Sequence, residues 1–387
     1  MTSRERVLAA LTHRVPDRIP LDLGGTLATT MTGTAYRRLR THLSMEDAGA
    51  VRIFSKRSGT VIPDEGILER FHADCRAVLL GDPDINPDRQ LDGGTLVDEW
   101  GVTWLRPESG HYIPIRGPFS NLDAPDLAAL DHHRWPDPSD PGRYRGLRER
   151  AQSVHEATSY ATVLNLGVGP VHLCQYLRGY GEWLMDLIER PTFAEALLDV
   201  AASFHIEVAT RALHEAAPFV DVVCFGDDIG TQQRPLVRPD LYRRMIKPRH
   251  RRIVDAVKRF GKPLIYHSCG AIYPLLPDLV DLGIDALNPV QVSAAGMDTA
   301  RLKREFGSWL TFWGGVDTQV ALSRGTVEDV RREVRRRIDD FAGDGGYVLC
   351  AVHNIQSEVP PENVVAMFEA ALEYGHDPSA VSASTSS

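Results

Sequence analysis

Eight short apolar runs, each followed by a stretch of helical periodicity, predict an α/β protein built as a (β/α)8 TIM barrel. Two further observations support it. From residue 142 onward runs and helices alternate without interruption, and polar residues gather just after the apolar runs rather than inside them. In such barrels the catalytic groups sit on the loops that follow the strands, so this polarity predicts a functional mouth.

The elements follow in order. Ser3 to Leu11 patterns as a helix, and Arg18 to Leu23 as a strand running into Gly24-Gly25-Thr26, a pair of glycines that either turns the chain or lets its backbone approach a ligand. Tyr36 to Leu43 and Glu65 to Phe71 are helical, and Ala77 to Leu80 is the second strand. Between about residues 81 and 140 proline and aspartate become frequent, and LVDEWGVTWLRP reads as two short strands around Gly101; this stretch is an expected insertion between the second and third strands. Helix Gly142 to Thr158 then leads to strand Ala161 to Leu166 and the loop GVGP. Helix Glu182 to Glu215, broken near Pro191, precedes strand Val220 to Phe225 and the loop GDDIGTQ. Helix Arg238 to Phe260 precedes strand Pro263 to Tyr266, and Ile272 to Leu282 precedes strand Ile284 to Leu287. Leu302 to Phe306 precedes strand Trp309 to Trp313, and Val327 to Ala342 precedes strand Tyr347 to Ala351, which empties into VHNIQ. PPENVVAMFEAALEYG closes the chain as a helix with proline in its first turn. Residues 1–378 are expected to form one domain, and the small polar tail 379–387 to be disordered.

Composition narrows the function. With 43% hydrophobic and 25% charged residues the 387-residue chain has an ample core. A formal net charge of -9 and the absence of a long basic block argue against a nucleic-acid partner, because phosphate binding needs clustered cations. The N-terminus has no signal-like apolar core, and nowhere do about 18 uncharged apolar residues follow one another, so no membrane partner is expected. Five widely spaced cysteines make a poor disulfide framework and fit a reducing, cytoplasmic setting.

The chemistry concentrates in KPLIYHSCG, Lys262 to Gly270. Residues two apart in a strand share a face, so His267 and Cys269 project together from a strand end, and imidazole and thiolate are ligands that zinc prefers. Two residues compete to be the third ligand, Cys350 and His353. Strand alternation puts Leu349, Ala351 and His353 on one face and turns Cys350 toward the surrounding helices, which favours His353. On neighbouring loops Asp228 is the candidate general acid or base, and Asp227 its less favoured companion, either of which is otherwise a helix cap. Gln291, Asp317 and Gln356 are candidate substrate contacts at the mouth, and Tyr266 and Trp313 either wall an apolar pocket or pack the barrel.

These motifs carry a family pattern. FGDDIGTQ, LYRRMIKPRHRRIVDAVK, YHSCG, LLPDLVDLGIDALNPVQ, LKREFG, FWGGVDTQ and GGYVLCAVHNIQSEVPPEN together resemble the uroporphyrinogen decarboxylase superfamily. The resemblance implies the barrel and one of two activities. Decarboxylases of the family use no metal and bind tetrapyrrole carboxylates with arginines in a segment ending Met-Arg-Gln-Ala-Gly-Arg, whereas this chain has RVPDRIPLDLGGTLA and lacks that segment. The other branch resembles zinc-dependent methyltransferases working with a corrinoid protein and a thiol, whose zinc is held by His-x-Cys and a later Cys. His267 and Cys269 match the first element; His353 falls where the family has its second cysteine. The resemblance therefore implies a Zn2+-dependent methyl or alkyl transferase, with any corrinoid arriving on a partner protein. A tetrapyrrole decarboxylase is the second reading, and a corrinoid- or tetrapyrrole-binding protein without turnover the third.

Overall fold

The computed structural model describes residues 1–45, 49–108 and 110–376, so the expected disordered tail, 379–387, lies outside the described residues. Seven strands run parallel in chain order: β1 (Cys75–Leu79), β2 (Ala161–Val168), β3 (Val222–Gly226), β4 (Leu264–His267), β5 (Ala286–Asn288), β6 (Thr311–Trp313) and β7 (Tyr347–Val348). Helices separate them, and the sheet curls into a TIM-barrel-like fold.

The expected first strand is reduced to single contacts. Leu21 makes one parallel bridge to Leu349, and the Asp74 amide donates to Leu21 O at 2.7 Å, so residues around Leu21 lie between the last strand and β1. A longer ladder fails for local reasons: Pro20 has no N–H, and the Leu21 N–H is taken by the Asp74 carboxylate at 2.8 Å. That carboxylate is fully buried and also holds Arg6 and Arg18, which anchors these two arginines of the N-terminal segment at the foot of the sheet.

Two packing layers follow from strand alternation. Val222, Cys224, Ile265, Trp313, Val348 and Cys350 point inward and pack on one another, and the N-terminal helix α1 (Ser3–Leu11) sends Val7, Ala10 and Leu11 into the same cluster as a plug. Val223, Phe225, Leu264, Tyr266, Phe312 and Leu349 point outward beneath the helices. Here the expectation for Cys350 is corrected. The inward set of the last strand is Val348 and Cys350, so Cys350 faces the barrel interior at 1% exposure and not the helices. Alternation holds along this strand, with the opposite phase to the expected one. His353 still reaches the mouth, because the chain bends after Ala351, where Val316 pairs with Ala351 and the Val352 amide donates to Val316 O.

Residues 89–116 supply a separate four-stranded antiparallel sheet (Arg89–Gln90, Thr95–Val97, Thr103–Leu105, Ile113–Arg116), which includes the two short strands expected around Gly101. The long helix is interrupted as the sequence suggests: α2 (Pro170–Arg178) is followed by a helix over Tyr180–Glu189 and then by α3 (Pro191–Ala216), which starts on its proline. Among the described residues no helix is long and apolar enough to cross a membrane.

Asp22 lies 1% exposed among the inward side chains and accepts from Trp313 Nε1 at 2.8 Å and from the Gly25 amide at 2.8 Å. Burial outweighs those donors and pushes its pKa from 3.8 up to about 6. Between these two values the unfolded chain releases the proton while the folded chain keeps it, so unfolding sheds a proton and stability falls as pH rises through that window, by roughly 3 kcal/mol. Asp22→Asn removes this contribution. Urea unfolding of wild type and variant at about pH 4 and about pH 7 should therefore show the variant gaining on wild type by roughly 2–3 kcal/mol as pH rises. A difference that stays constant would contradict a proton held on Asp22.

Candidate metal centre

The site begins at the end of β4, where alternation turns His267 inward. Its neighbour in the β3 register is Gly226, and a Cβ there would stand 2.7 Å from the His267 Cβ, so glycine is the residue that lets the imidazole occupy the mouth. Asn288, at the end of β5, uses its Nδ2 to donate to Trp313 O at 3.0 Å, which turns its Oδ1 toward His267 Nδ1 at 2.7 Å. His267 therefore donates from Nδ1 and keeps the Nε2 lone pair free toward the mouth.

Cys269 is held by its backbone. Its amide donates to Asp228 Oδ1 at 2.7 Å, and the Gly270 amide, at φ +96°, donates to Gln291 Oε1 at 2.7 Å. The result is a Cys269 Sγ 3.6 Å from His267 Nε2. A tetrahedral zinc with ordinary bond lengths separates a nitrogen and a sulfur ligand by about 3.5 Å, so this pair is already spaced for one ion. His353 completes the group: its ring centroid is 5.5 Å from that of His267, and donor atoms of His267, Cys269 and His353 all lie within 4.8 Å of one another. The donor set fits zinc. Burial lowers the pKa of both imidazoles, His353 to about 4 with His267 adding to the effect, so each offers a neutral nitrogen. Burial, and then Asp228, push the Cys269 thiol well above its usual range, a state that a neighbouring cation reverses.

Above these residues opens a cavity of about 390 Å³. Trp104, Tyr112 and Tyr176 form aromatic walls, and Arg57 is its one lining arginine or lysine among the described residues. That guanidinium sits 4.9 Å from the Trp104 ring centroid and pairs with Asp98 at 3.1 Å. His172, Asp228, His267 and His353 all line the same cavity.

The other expected site residues are distributed differently. Asp227 does not reach the cavity. It is fully buried and accepts from the Val171 and His172 amides at the start of α2 and from His250 Nε2 at 2.9 Å, a helix cap tied to a buried imidazole. Tyr266 points outward and donates its hydroxyl to Asp227 O at 3.0 Å, and Trp313 packs inside the barrel, so both are packing residues and neither lines the cavity. Gln291 braces the Gly270 loop, and Asp317 accepts from the Gln319, Val320 and Ala321 amides as a local cap. Gln356 is placed at the rim, with its Oε1 2.9 Å from His111 Nε2.

Three residues of the site escaped the sequence reading. His172, Asn165 and Arg57 carry no spacing motif; only Asn165 leaves a trace, as a polar residue inside the apolar run ATVLNL. Asn165 accepts from the Leu27 amide at 2.9 Å and donates to Gly25 O at 3.0 Å, so it binds the Gly24-Gly25 loop to the mouth.

Comparison with known proteins agrees with this architecture. Residues 111–374 match the family model for uroporphyrinogen decarboxylase (URO-D), and the chain belongs to that family. It is 26% identical over 378 residues to the methylcobamide:CoM methyltransferase MtbA of Methanosarcina mazei, covering 96% of this chain and 98% of that protein. It is also 34% identical over 136 residues to the uroporphyrinogen decarboxylase of Syntrophotalea carbinolica, covering 35% of this chain and 37% of the relative. A solved methyltransferase from Methanosarcina mazei superposes with a TM-score of 0.68 at 18% identity, covering 97% of this chain and 99% of the other, which shows a shared fold.

The buried cap makes a direct prediction. His172 and His250 pull Asp227 down to about 2 despite its burial. Its charge is therefore worth most above the unfolded value and is lost as pH falls toward the folded one. Asp227→Asn should cost roughly 2–3 kcal/mol in urea unfolding at neutral pH, the scale of leaving buried donors unmatched. An unchanged midpoint would remove the cap from the account.

Proposed function

We propose that this chain is a Zn2+-dependent methyl or alkyl transferase of its family, moving a methyl group between a small-molecule donor or a corrinoid protein and a thiol or corrinoid acceptor. One observation carries the reading: the 3.6 Å separation of His267 Nε2 and Cys269 Sγ beneath the cavity, with His353 beside them. The extended similarity to a methylcobamide:CoM methyltransferase supports the same branch. The reading takes residues 1–378 as one barrel domain with 81–140 inserted, and the five free cysteines support a cytoplasmic setting.

In this reading His267, Cys269 and His353 would hold the ion, at the cavity that His267 and His353 line. Bound there, zinc supplies Lewis acidity that brings a thiol to its nucleophilic form near neutral pH. Asn288 keeps His267 in the Nδ1–H form, so its Nε2 lone pair remains available. Asp228 accepts from the Cys269 amide, lies 3.8 Å from His267 Nε2 and lines the cavity, where it would meet a reacting group. Trp104, Tyr112 and Tyr176 give that space aromatic walls.

The decarboxylase reading lacks a counterpart in the cavity. Arg6 and Arg18 are bound to Asp74 below the sheet, which leaves Arg57 to face a substrate bearing many carboxylates. Incubation with uroporphyrinogen should yield no coproporphyrinogen, and stepwise decarboxylation would reverse the ranking.

Metal analysis tests the main reading. Protein purified with ample zinc should hold about one ion per chain. Cys269→Ala should lose it, and Cys350→Ala, altered inside the barrel, should keep it. Zinc-free wild type, or loss in Cys350→Ala alone, would contradict the assignment.

A further inference from the structure

The imidazole of His172 is clamped between two carboxylates at the cavity wall. Its Nδ1 stands 3.2 Å from Asp227 Oδ1 and its Nε2 stands 3.4 Å from Asp228 Oδ2. The Asp228 amide N–H also points at Nδ1, from 3.3 Å; it is the longer of the two Nδ1 contacts, and an imidazolium gives it up in favour of donating to Asp227. Behind Asp227 the chain of contacts continues through His250, whose Nδ1 lies 3.2 Å from the Tyr242 hydroxyl, so the inner carboxylate is itself fixed from below. The ring keeps 16% exposure and lines the cavity beside Asp228, toward which its Nε2 points, and next to Tyr176, whose ring centroid is 5.9 Å away. The other charged groups on the cavity are Arg57 and Asp228.

We propose that His172 is a catalytic acid of this site, passing its Nε2 proton to the oxygen atom that departs when a methyl group is taken from a methyl ether or a methyl alcohol. The inference rests on the methyl-transfer reading above and names its donor. A methylated corrinoid releases low-valent cobalt and needs no proton. A methylamine takes up its own proton in water. An oxygen leaving group is the one that needs an acid supplied by the protein, and a histidine braced by two carboxylates is that acid.

The step balances. A thiolate places its electron pair on the methyl carbon and forms a C–S bond. The C–O bond breaks with its pair remaining on oxygen, and the His172 Nε2 proton moves to that oxygen. Methyl ether, thiolate and imidazolium become alcohol, methyl thioether and neutral imidazole. Burial opposes the charged form of His172, and Asp227 and then Asp228 outweigh it and raise the pKa well above its usual value. Asp227 acts as a positioning residue through the Nδ1 side.

The test uses the full-length zinc-loaded protein with 2-mercaptoethanol as acceptor and two donors, anisole and 4-nitroanisole, the methyl thioether being counted by mass spectrometry. Nitrophenolate leaves without help, whereas phenolate does not. His172→Gln should lower the anisole rate by roughly 10²–10⁴-fold while changing the nitroanisole rate far less, and its zinc content should equal that of wild type. Equal losses on both donors, or loss of zinc in the variant, would overturn the proposal. So would turnover of methylcobalamin with no oxygen donor accepted, an outcome that leaves the methyl-transfer reading intact. Zinc-free protein that still shows the leaving-group dependence would fail the metal reading and keep His172. Histidine-labelled NMR gives an independent readout: the signal missing in His172→Gln should be that of an imidazolium at neutral pH and should shift when anisole is added. A neutral imidazole would overturn the role.

Discussion

The turn after β3 places two adjacent carboxylates back to back, and the site depends on that division. Asp227 faces inward, where it satisfies the first amides of α2 and the buried His250. Asp228 faces the cavity, where it receives the Cys269 amide and stands beside His172. One peptide unit thereby joins three elements: the helix that carries His172, the strand end that carries His267, and the loop that carries Cys269. Removing a buried, multiply bonded carboxylate leaves several donors unmatched, which makes such a junction stiff. A stiff junction suits a metal site, because ligand atoms must be held to within a few tenths of an ångström.

The same physics separates the two ends of the barrel. At the foot, Asp74 gathers Arg6, Arg18 and the Leu21 amide, so buried charge is spent on joining the N-terminal segment to the sheet. At the mouth, burial lowers the pKa of His267 and His353, so these two imidazoles offer neutral nitrogens to a cation. Among the described residues the cavity has aromatic walls and one lining arginine, Arg57, which is already paired with Asp98.

Much of this was legible in the sequence because it follows from periodicity. The alternation of strands with helices and the break at Pro191 follow from hydrophobic periodicity and from a proline, whereas Cys269 lies past the strand end and is brought to His267 by Asp228 and Gln291. The failures share a cause. Cys350 was turned the wrong way because alternation fixes relative faces and not the phase, and only the neighbouring strand sets the phase. Tyr266 and Trp313 sit near strand ends as expected, yet one lies under the helices and the other inside the barrel. Asp227 and Asp228 are chemically identical in sequence, and tertiary partners alone decide which is a cap. His172 had no motif at all; it belongs to the site because Asp227 pins the start of α2 beside β3.

The central claim is that His267, Cys269 and His353 bind one zinc ion together. X-ray absorption at the zinc edge of the purified protein measures this directly. One sulfur at about 2.3 Å with two imidazole nitrogens at about 2.0 Å and one further light atom is the predicted inner shell. Two sulfurs would place Cys350 or another thiol on the metal, and a shell of oxygens alone would mean that these three residues do not hold it.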